Sequence, residues 1–535
     1  MSLFNFVGLL LDELRVRRAV LAVFGFAAIL TLRVQSPLGW DESVYASRAK
    51  DLERTNFEWD AVSSPYWSDL RAPGFPAFAG FAFEIFGTSD FIVRAVAVGF
   101  SVGLLAMIAR TLDLIAAPRV GTTAALIAAL CPGFFATSTL AFGDNAAAFF
   151  AVVAVWALLR AHVCGSTGIL VVVPAAIAVA TTIRFGAVML VVAPLGLVAL
   201  AVVISSVRRR SYQDFFSFLA VGLMSVMAVA YLLTSTFLTR RLSPLDASNQ
   251  QLDVLNNASD RWLTDLQTIL SPGPVDYGFN GAFWGWSFFS AFVLTLLVVV
   301  TKALVDRRIG LLFVAATIGF VQVGLYAWSV NQYVTTYLAP QFAIGAAALA
   351  MVIWGPSLLP LTAAQVEIVQ SALSSETRTR VRNRFSAVVL FSLMAFVGWR
   401  TFEGAEAMHE RLTGFEQVRV ASIAADDILG QNCRIFTTRV PQVAWYSACN
   451  AVGFSGSFQP DGEVVGDGLT WEEYVEAQAG RVDSSGGAGL GFLLLEGVSS
   501  QPPIDDVLDA AEGEAIVLRA PGGRRVALVE VTPAG

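Results

Sequence analysis

Residues Arg15–Tyr45 read RVRRAVLAVFGFAAILTLRVQSPLGWDESVY. A basic cluster is followed by an apolar run over Ala19–Leu32, and the apolar run is followed by an acidic, aromatic segment. An apolar run beside arginines predicts a membrane-spanning helix whose basic end stays in the cytoplasm. The acidic segment then lies on the outer side, where it belongs to a first outer loop over residues 34–89.

The composition extends this prediction to the rest of the chain. The 535 residues are 56% hydrophobic and only 14% charged, whereas soluble domains are about a quarter charged. His162 and His409 are the only histidines, which argues against a His-rich zinc site or a Ser-His-Asp triad. No basic block is interleaved with aromatic residues, so no nucleic-acid partner is expected. The chain reads as a polytopic membrane protein.

Ten more spans are predicted after the first, separated by short loops. They lie at about 90–109, 120–137, 145–162, 168–183, 186–204, 215–237, 284–303, 309–327, 335–354 and 385–400. The apolar run 74–87 is too short to span and predicts an interfacial or re-entrant helix. Basic clusters fall in every predicted cytoplasmic loop except the one near His162. The prediction is a multi-pass protein of the cytoplasmic membrane, with its N-terminus inside and its C-terminus outside.

The fold class that follows is mainly α, in two parts. Residues 1–402 form the transmembrane part, and residues 403–535 form a small extracytoplasmic α/β domain that carries 20 acidic residues and 8 arginines. Strands are expected at Arg434–Arg439, Gly491–Leu495, Ala515–Leu518 and Val526–Val531, with a hairpin between the last two. Cys433 and Cys449 either pair in this domain or stay free, and the sequence leaves the choice open.

The first candidate site residues follow the first span. Asp41, with Glu42 beside it, starts a helix-like run in which Tyr45 and Arg48 share the face of Asp41. A carboxylate at an apolar boundary is suited to act as a general base. The alternative is that Asp41 only caps this helix.

Two arginines are candidate phosphate ligands. Arg71 precedes a proline-fixed turn at the start of the 74–87 helix, where a guanidinium and a helix N-terminus favour an anion. Arg184 lies between two apolar runs at the outer boundary, a position that favours a functional role. The alternative for both residues is contact with lipid headgroups.

Asp144 is a second carboxylate on the predicted outer face, in the stretch Phe142-Gly143-Asp144-Asn145. It either caps the span that follows or divides the chemistry with Asp41. Asp41 and Asp144 are also candidate ligands of a divalent metal ion, and metal dependence stays open. A polar, aromatic turn over 331–340, with Gln332, Tyr333 and Tyr337, is suited to sugar or phosphate contacts, although interfacial aromatic belts use the same residues.

These residues resemble those of the GT-C superfamily of membrane glycosyltransferases, family 39/83-like, which includes protein mannosyltransferases and lipid A aminoarabinose transferases. The resemblance lies in Asp41-Glu42 with Tyr45, Arg71–Pro76, Phe86–Phe91 with Arg94, Asp144, and the Tyr–Pro pattern of Tyr333, Tyr337 and Pro340. It covers most of residues 1–355. The sequence departs from the family pattern at Ala72, where a second proline is common, and at Gln332, where an arginine is common.

The resemblance implies transfer of a sugar from a polyprenyl-phosphate donor to an extracytoplasmic protein, lipid or glycan by an inverting mechanism. It implies that Asp41 is the base and that Arg71 and Arg184 bind phosphate. Two other functions stay open. One is a transporter or flippase of lipid-linked sugars, although the polar residues gather at one face rather than at the midplane. The other is a ligase that moves a whole glycan or lipid group.

Overall fold

The computed structural model of the chain is mostly helical, with a small β-sheet near its C-terminal end. Apart from five isolated positions, the residues it describes are 14–32, 37–57, 74–115, 118–130, 132–183, 212–234, 416–430, 433–452, 457–458, 464–465, 490–496, 501, 504–510, 515–519 and 525–531. Apart from isolated positions, the predicted spans at 186–204 and from 284 to 400 lie outside the described residues, as does the turn between the last two strands.

The described part of the chain contains twelve α-helices. They are α1 (Leu14–Leu32), α2 (Trp40–Arg54), α3 (Gly74–Phe86), α4 (Asp90–Ile115), α5 (Pro118–Leu130), α6 (Pro132–Ser138), α7 (Asp144–Cys164), α8 (Val172–Ile183, after a 3-10 turn at Thr167–Val171), α9 (Tyr212–Thr234), α10 (Glu416–Leu429), α11 (Val440–Tyr446) and α12 (Ile504–Ala510). Within the described residues, two stretches are long and apolar enough to cross a membrane by length and composition, Asp90–Leu114 and Asp144–Ala161.

One predicted span is not a single continuous helix. The run 120–137 is two helices, α5 and α6, and the second begins at Pro132. Proline has no backbone N–H to continue a helix and is tolerated in the first turn of a new one. The proline in the sequence was the available signal for this break.

The chain forms two compact units. The first comprises Met1–Arg33, Ser63–Phe78 and Arg94–Ala407, and the second comprises Val34–Val62, Ala79–Val93 and Met408–Gly535. The second unit therefore combines first-loop residues with the C-terminal segment. The predicted division at residue 402 stays a prediction.

In the first unit, a partly buried ion pair joins α1 to the end of α4. The Arg17 guanidinium donates to both carboxylate oxygens of Asp113, at 2.5 and 2.7 Å, and also to the Pro118 carbonyl and the Thr122 hydroxyl. The sequence assigns both segments to the cytoplasmic side, and the structure brings them together at one end of the helices.

The second unit contains a five-stranded mixed sheet. Its strands are β1 (Arg434–Thr437), β2 (Asn450–Val452), β5 (Leu490–Leu495), β6 (Ala515–Arg519) and β7 (Arg525–Val531), while β3 (Ser457–Phe458) and β4 (Val464–Val465) form a separate pair. The order is β2-β1-β5-β7-β6; β1 is parallel to β2 and β5, and β7 is antiparallel to β5 and β6. All four predicted strand segments are strands, and the last two pair antiparallel as predicted.

Both faces of this sheet are buried, and successive side chains along a strand point to opposite faces. Ile435, Leu493 and Leu528 pack in one cluster with α10, while Phe436 and Phe492 pack in a second cluster on the α12 side. Alternation along strands produces two such faces because successive side chains point to opposite sides. The sheet is therefore the middle layer between α10 and α12.

A disulfide settles the question left open for the cysteines. Cys433 and Cys449 are bonded, and their Cα atoms are 4.5 Å apart. The bridge joins the residue before β1 to the residue before β2. It therefore closes a short loop that contains α11.

Candidate functional site

The first candidate carboxylates lie at the start of α2. The residue that caps this helix is Gly39, whose N–H donates to Glu42 Oε2 at 3.0 Å and whose carbonyl accepts from the Ser43 N–H at 2.9 Å. Asp41 is the second helical residue, so the alternative that Asp41 is the capping residue is wrong. The Asp41 carboxylate itself lies outside the described side chains.

The neighbours of Asp41 on α2 are buried. Glu42, Tyr45 and Arg48 expose 1%, 9% and 0% of their surface. The Glu42 carboxylate holds the N–H group of Gly39, which gives it a defined role in starting the helix. Of the two adjacent carboxylates, Asp41 is therefore the better candidate for chemistry.

Asp144 is the first residue of α7, and Gly143 occupies the capping position without a side-chain hydrogen bond. The alternative that Asp144 is the capping residue is therefore also wrong. Asp144 is 5% exposed and lies in the first turn, where the helix dipole favours a negative charge. This is a buried carboxylate at a helix start, in a setting suited to an electrostatic role.

Next to Asp144, the Asn145 amide has a fixed orientation. Its Nδ2 donates to Ser101 Oγ at 2.9 Å and lies 3.5 Å from Ser138 Oγ. Both serine hydroxyls already donate their protons to helix carbonyls, at Ala97 and Phe134, so the serine oxygens act only as acceptors here. Among the described residues, Asn145 Oδ1 is buried and has no hydrogen-bond donor, so it can accept from a hydroxyl or a water. The sequence analysis did not single out Asn145, although its place beside Asp144 was the available signal.

Three segments that carry predicted site residues meet inside the first unit. A Cβ built on Gly74 would lie 2.7 Å from the Thr182 carbonyl oxygen and 2.7 Å from the Ile183 nitrogen. A Cβ on Gly143 would lie 3.0 Å from Ile183 Cγ2 and 3.3 Å from Phe75 Cβ. The start of α3, the end of α8 and the turn before α7 are thus in direct contact, and glycine permits the close approach.

This meeting point bears directly on three candidates. Asp144 follows Gly143, Arg184 follows Ile183, and Arg71 lies three residues before Gly74 in the sequence. Arg71 and Arg184 are outside the described residues, as are Gln332, Tyr333 and Tyr337. The structure places Asp144 at this point and brings together the described residues that flank the two arginines.

A metal ion held by Asp41 and Asp144 stays a prediction. Among the described residues, one group of three could offer ligands to a metal, namely Asp426, Cys433 and Cys449. These two cysteines are joined in the disulfide, and metal binding by cysteine requires thiolates. This group therefore does not form a thiolate metal site in the oxidised protein.

The comparison with protein families agrees with the sequence analysis. Residues 70–234 match the family model described as dolichyl-phosphate-mannose-protein mannosyltransferase. This segment contains Arg71, the meeting point of Gly74 and Gly143, Asp144 and Arg184. No curated protein sequence matches the chain.

Solved structures similar to the chain share its fold. ArnT from Cupriavidus metallidurans bound to undecaprenyl phosphate matches with a TM-score of 0.54 at 16% identity, over 100% of both chains. The same protein in the apo state matches with a TM-score of 0.52 at 16% identity, over 95% of this chain and 97% of that one. The apo oligosaccharyltransferase of Archaeoglobus fulgidus matches with a TM-score of 0.53 at 13% identity, over 89% of this chain and 69% of that one.

The chain shares its fold with the ArnT and oligosaccharyltransferase structures. The resemblance predicted from the sequence is confirmed, and the family model places the likeness to protein mannosyltransferases in the segment 70–234.

Proposed function

We propose that the chain is an integral membrane glycosyltransferase that moves a sugar from a polyprenyl-phosphate donor to an extracytoplasmic acceptor. The observation that carries this proposal is the contact between the segments flanking Arg71, Asp144 and Arg184, which lies inside the stretch that matches the mannosyltransferase family model. The undecaprenyl phosphate bound to the similar ArnT structure supports a lipid-phosphate donor.

The proposed base is Asp41. Transfer with inversion requires the acceptor hydroxyl to lose its proton as its oxygen attacks the anomeric carbon on the face opposite the phosphate. Asp41 lies in the first turn of α2, beside a Glu42 that is engaged with the Gly39 N–H. A carboxylate base needs no histidine, in agreement with the composition.

Arg71 and Arg184 are proposed to bind the phosphate of the donor. The bond that breaks joins the anomeric carbon to the phosphate oxygen, and the leaving polyprenyl phosphate carries the resulting negative charge. A guanidinium holds phosphate oxygens by paired hydrogen bonds and lowers the energy of that charge as it develops. The contacts of Gly74 and Ile183 support placing both arginines in one site.

Asp144 and the 331–340 turn complete the proposal. Asp144 is assigned an electrostatic role in the same site, because it is buried at a helix start. Gln332, Tyr333 and Tyr337 are assigned to substrate contacts. The disulfide supports an extracytoplasmic position for residues 403–535, since disulfides persist in oxidising compartments. The chain is further proposed to cross the membrane eleven times. The proposed acceptor is a protein, a lipid or a glycan.

The test is transfer by purified full-length protein, assayed with a panel of polyprenyl-phosphate sugars and with nucleotide sugars as controls. Release of polyprenyl phosphate, coupled to a glycosylated acceptor, is the expected result. Asp41→Asn is expected to lower kcat by at least about 100-fold, since general-base catalysis contributes roughly 10²–10⁴-fold. The matched control is Glu53→Gln, a carboxylate change at the other end of α2, which is expected to leave kcat unchanged.

Activity with nucleotide sugars alone would contradict the proposed donor. Movement of lipid-linked sugars across vesicles without any transfer would support the flippase alternative instead. Normal activity of Asp41→Asn would remove the proposed base and leave the donor class standing.

A further inference from the structure

A chain of hydrogen bonds joins the C-terminal segment to the first-loop residues within the second unit. Tyr446 Oη donates to Asp90 Oδ2 at 2.7 Å, and Trp445 Nε1 donates to Asp90 Oδ1 at 2.5 Å. Tyr446 Oη also accepts from the Leu38 N–H at 2.7 Å. One carboxylate therefore holds two adjacent side chains of α11, and one of these holds the backbone just before α2.

The Asp90 carboxylate is available for this role because another residue caps α4. Ser89 Oγ accepts from the Ile92 N–H at 3.3 Å, and the Ser89 carbonyl accepts from the Val93 N–H. Asp90 is the first helical residue, where the helix dipole further favours its negative charge.

The direction of each bond follows from the chemistry of the groups. Carboxylate oxygens only accept, so the single proton of the Tyr446 hydroxyl points to Asp90. The Tyr446 oxygen then presents lone pairs, and the Leu38 N–H donates to one of them. A hydrogen bond to an ionised group is stronger than one between neutral groups, so Asp90 fixes the hydroxyl that fixes Leu38.

Other contacts keep α11 against α2. The Lys50 ammonium donates to the Trp445 carbonyl at 3.2 Å and lies 5.7 Å from the centre of the Trp445 ring. Ser47 Oγ donates to the Pro441 carbonyl at 3.4 Å. The Phe83 ring is 5.8 Å from the Trp445 ring. Burial lowers the pKa of Lys50. Trp445 thus contacts Lys50 and Phe83, whereas Tyr446 makes the bond to the residue before Gly39.

We propose that Tyr446 is a positioning residue for the transfer reaction, acting on Leu38 and thereby on the helix start that carries Asp41. This inference rests on the proposed function, because it takes Asp41 as the base. Leu38 precedes the capping residue Gly39, and its carbonyl also accepts from Ser43 Oγ at 3.4 Å. The C-terminal segment then contributes to the rate of the chemical step.

The rate consequence follows from the sensitivity of catalysis to placement. A displacement of about 1 Å at a reacting group can cost on the order of 100-fold in rate. Tyr446→Phe keeps the ring and removes only the hydroxyl, so the Leu38 N–H and Asp90 Oδ2 lose one shared partner. We expect kcat to fall by about tenfold, while KM for the donor and for the acceptor changes little.

The matched control is Trp445→Phe. It also removes one hydrogen bond to Asp90, but Trp445 makes no bond to Leu38. Trp445→Phe is expected to lower the melting temperature at least as much as Tyr446→Phe does, and to change kcat by less than about threefold. Both variants are assayed as full-length protein, well below their melting temperatures.

Hydrogen exchange of residues 37–45 provides a readout that does not depend on activity. Tyr446→Phe is expected to speed exchange there more than Trp445→Phe does. Faster exchange with an unchanged kcat would overturn the positioning role, and so would a loss of kcat that only follows the melting temperature in both variants. If the wild-type protein transfers no sugar from any donor, the proposed function fails, while the exchange result still decides whether Tyr446 holds Leu38.

Discussion

Arg17 and Asp113 are 96 residues apart in the sequence, and their side chains form a bidentate ion pair. The Arg17 side chain is 6% exposed and that of Asp113 is 30% exposed. The same guanidinium also donates to the Pro118 carbonyl. Arg17, which the sequence assigns to the cytoplasmic end of the first span, thus also joins α1 to the end of α4.

Asp113→Ala is expected to destabilise the protein by about 3 kcal/mol, since removing one partner leaves a buried charge uncompensated. The low end of the usual range applies because Asp113 is partly exposed. Thermal unfolding of the purified protein in detergent, followed by tryptophan fluorescence, measures the effect. Arg18→Ala is the control, because Arg18 is exposed and should change stability by less than about 0.5 kcal/mol. Equal effects of the two variants would contradict the role of the pair.

Gly74→Ala is expected to lower both stability and transfer activity. The added Cβ would lie 2.7 Å from backbone atoms of Thr182 and Ile183, and overpacking of this kind costs about 1–3 kcal/mol. Because this contact joins the segments that carry Arg71 and Arg184, we expect activity to fall by more than the melting temperature alone explains.

The control for Gly74 is Gly99→Ala in α4, where an added Cβ would meet no described residue within 4 Å. It should leave activity unchanged and keep or slightly raise stability, since alanine favours helix more than glycine does. Wild-type activity of the Gly74→Ala protein would contradict a role in transfer for the contact between Gly74 and the end of α8.

Removal of the disulfide is expected to destabilise the second unit. Cys433 and Cys449 close a loop of sequence separation 16, for which loop-closure entropy predicts about 3 kcal/mol. The double change to serine should therefore lower the melting temperature, and reductant should lower that of the wild type to the same value. Cys164, which is free and exposed, provides the control, since Cys164→Ser should have no effect.

Acid is expected to weaken the sheet through the ion pairs of Arg525. This guanidinium donates to Asp505 at 2.6 and 2.8 Å and to Glu496 at 3.0 Å. These hydrogen bonds hold the pKa of both carboxyl groups below their ordinary values of 4.5 and 3.8 for Glu496 and Asp505. A lowered pKa in the folded state contributes stability that is present above the ordinary values and is lost as the pH falls through the lowered ones.

Melting temperatures of the full chain from pH 7 to pH 3 test this. Arg525→Gln should lower the melting temperature at pH 7 and make the loss below about pH 4 smaller than in the wild type. Arg419→Gln, which breaks a single exposed pair with Glu416 and not a network of two carboxylates, should have little effect, because isolated exposed pairs contribute little. Parallel pH curves for the wild type and Arg525→Gln would contradict the assignment.

The features that were predicted from the sequence are those governed by neighbours along the chain. The helix that carries Asp41 follows from spacing, and the strands from Arg434 to Val531 follow from apolar runs between turn residues. The alternative that Asp41 and Asp144 only cap their helices was wrong by two positions and one position. Both true caps, Gly39 and Gly143, are glycines without a side-chain acceptor, whereas the alternative relied on the preference of aspartate for the capping position.

The features that were missed depend on distant partners. Asp90 is 356 residues from Tyr446, and nothing around either residue in the sequence specifies the other. Asn145 is a candidate because its amide contacts Ser101 and Ser138, and these contacts depend on the fold. The sequence did not decide whether Cys433 and Cys449 pair, because pairing depends on the distance between the two cysteines in the fold.

The bond between Leu38 and Tyr446 has a consequence for how the protein is made. Its two residues are 408 positions apart, so Leu38 is synthesised long before its partner. During synthesis Leu38 lacks this bond until Tyr446 has been made and the disulfide-linked segment around it has folded. A chain that ends before Tyr446 would therefore lack the bond, and under the proposed role of Tyr446 only the completed protein would hold the start of α2 in its active position.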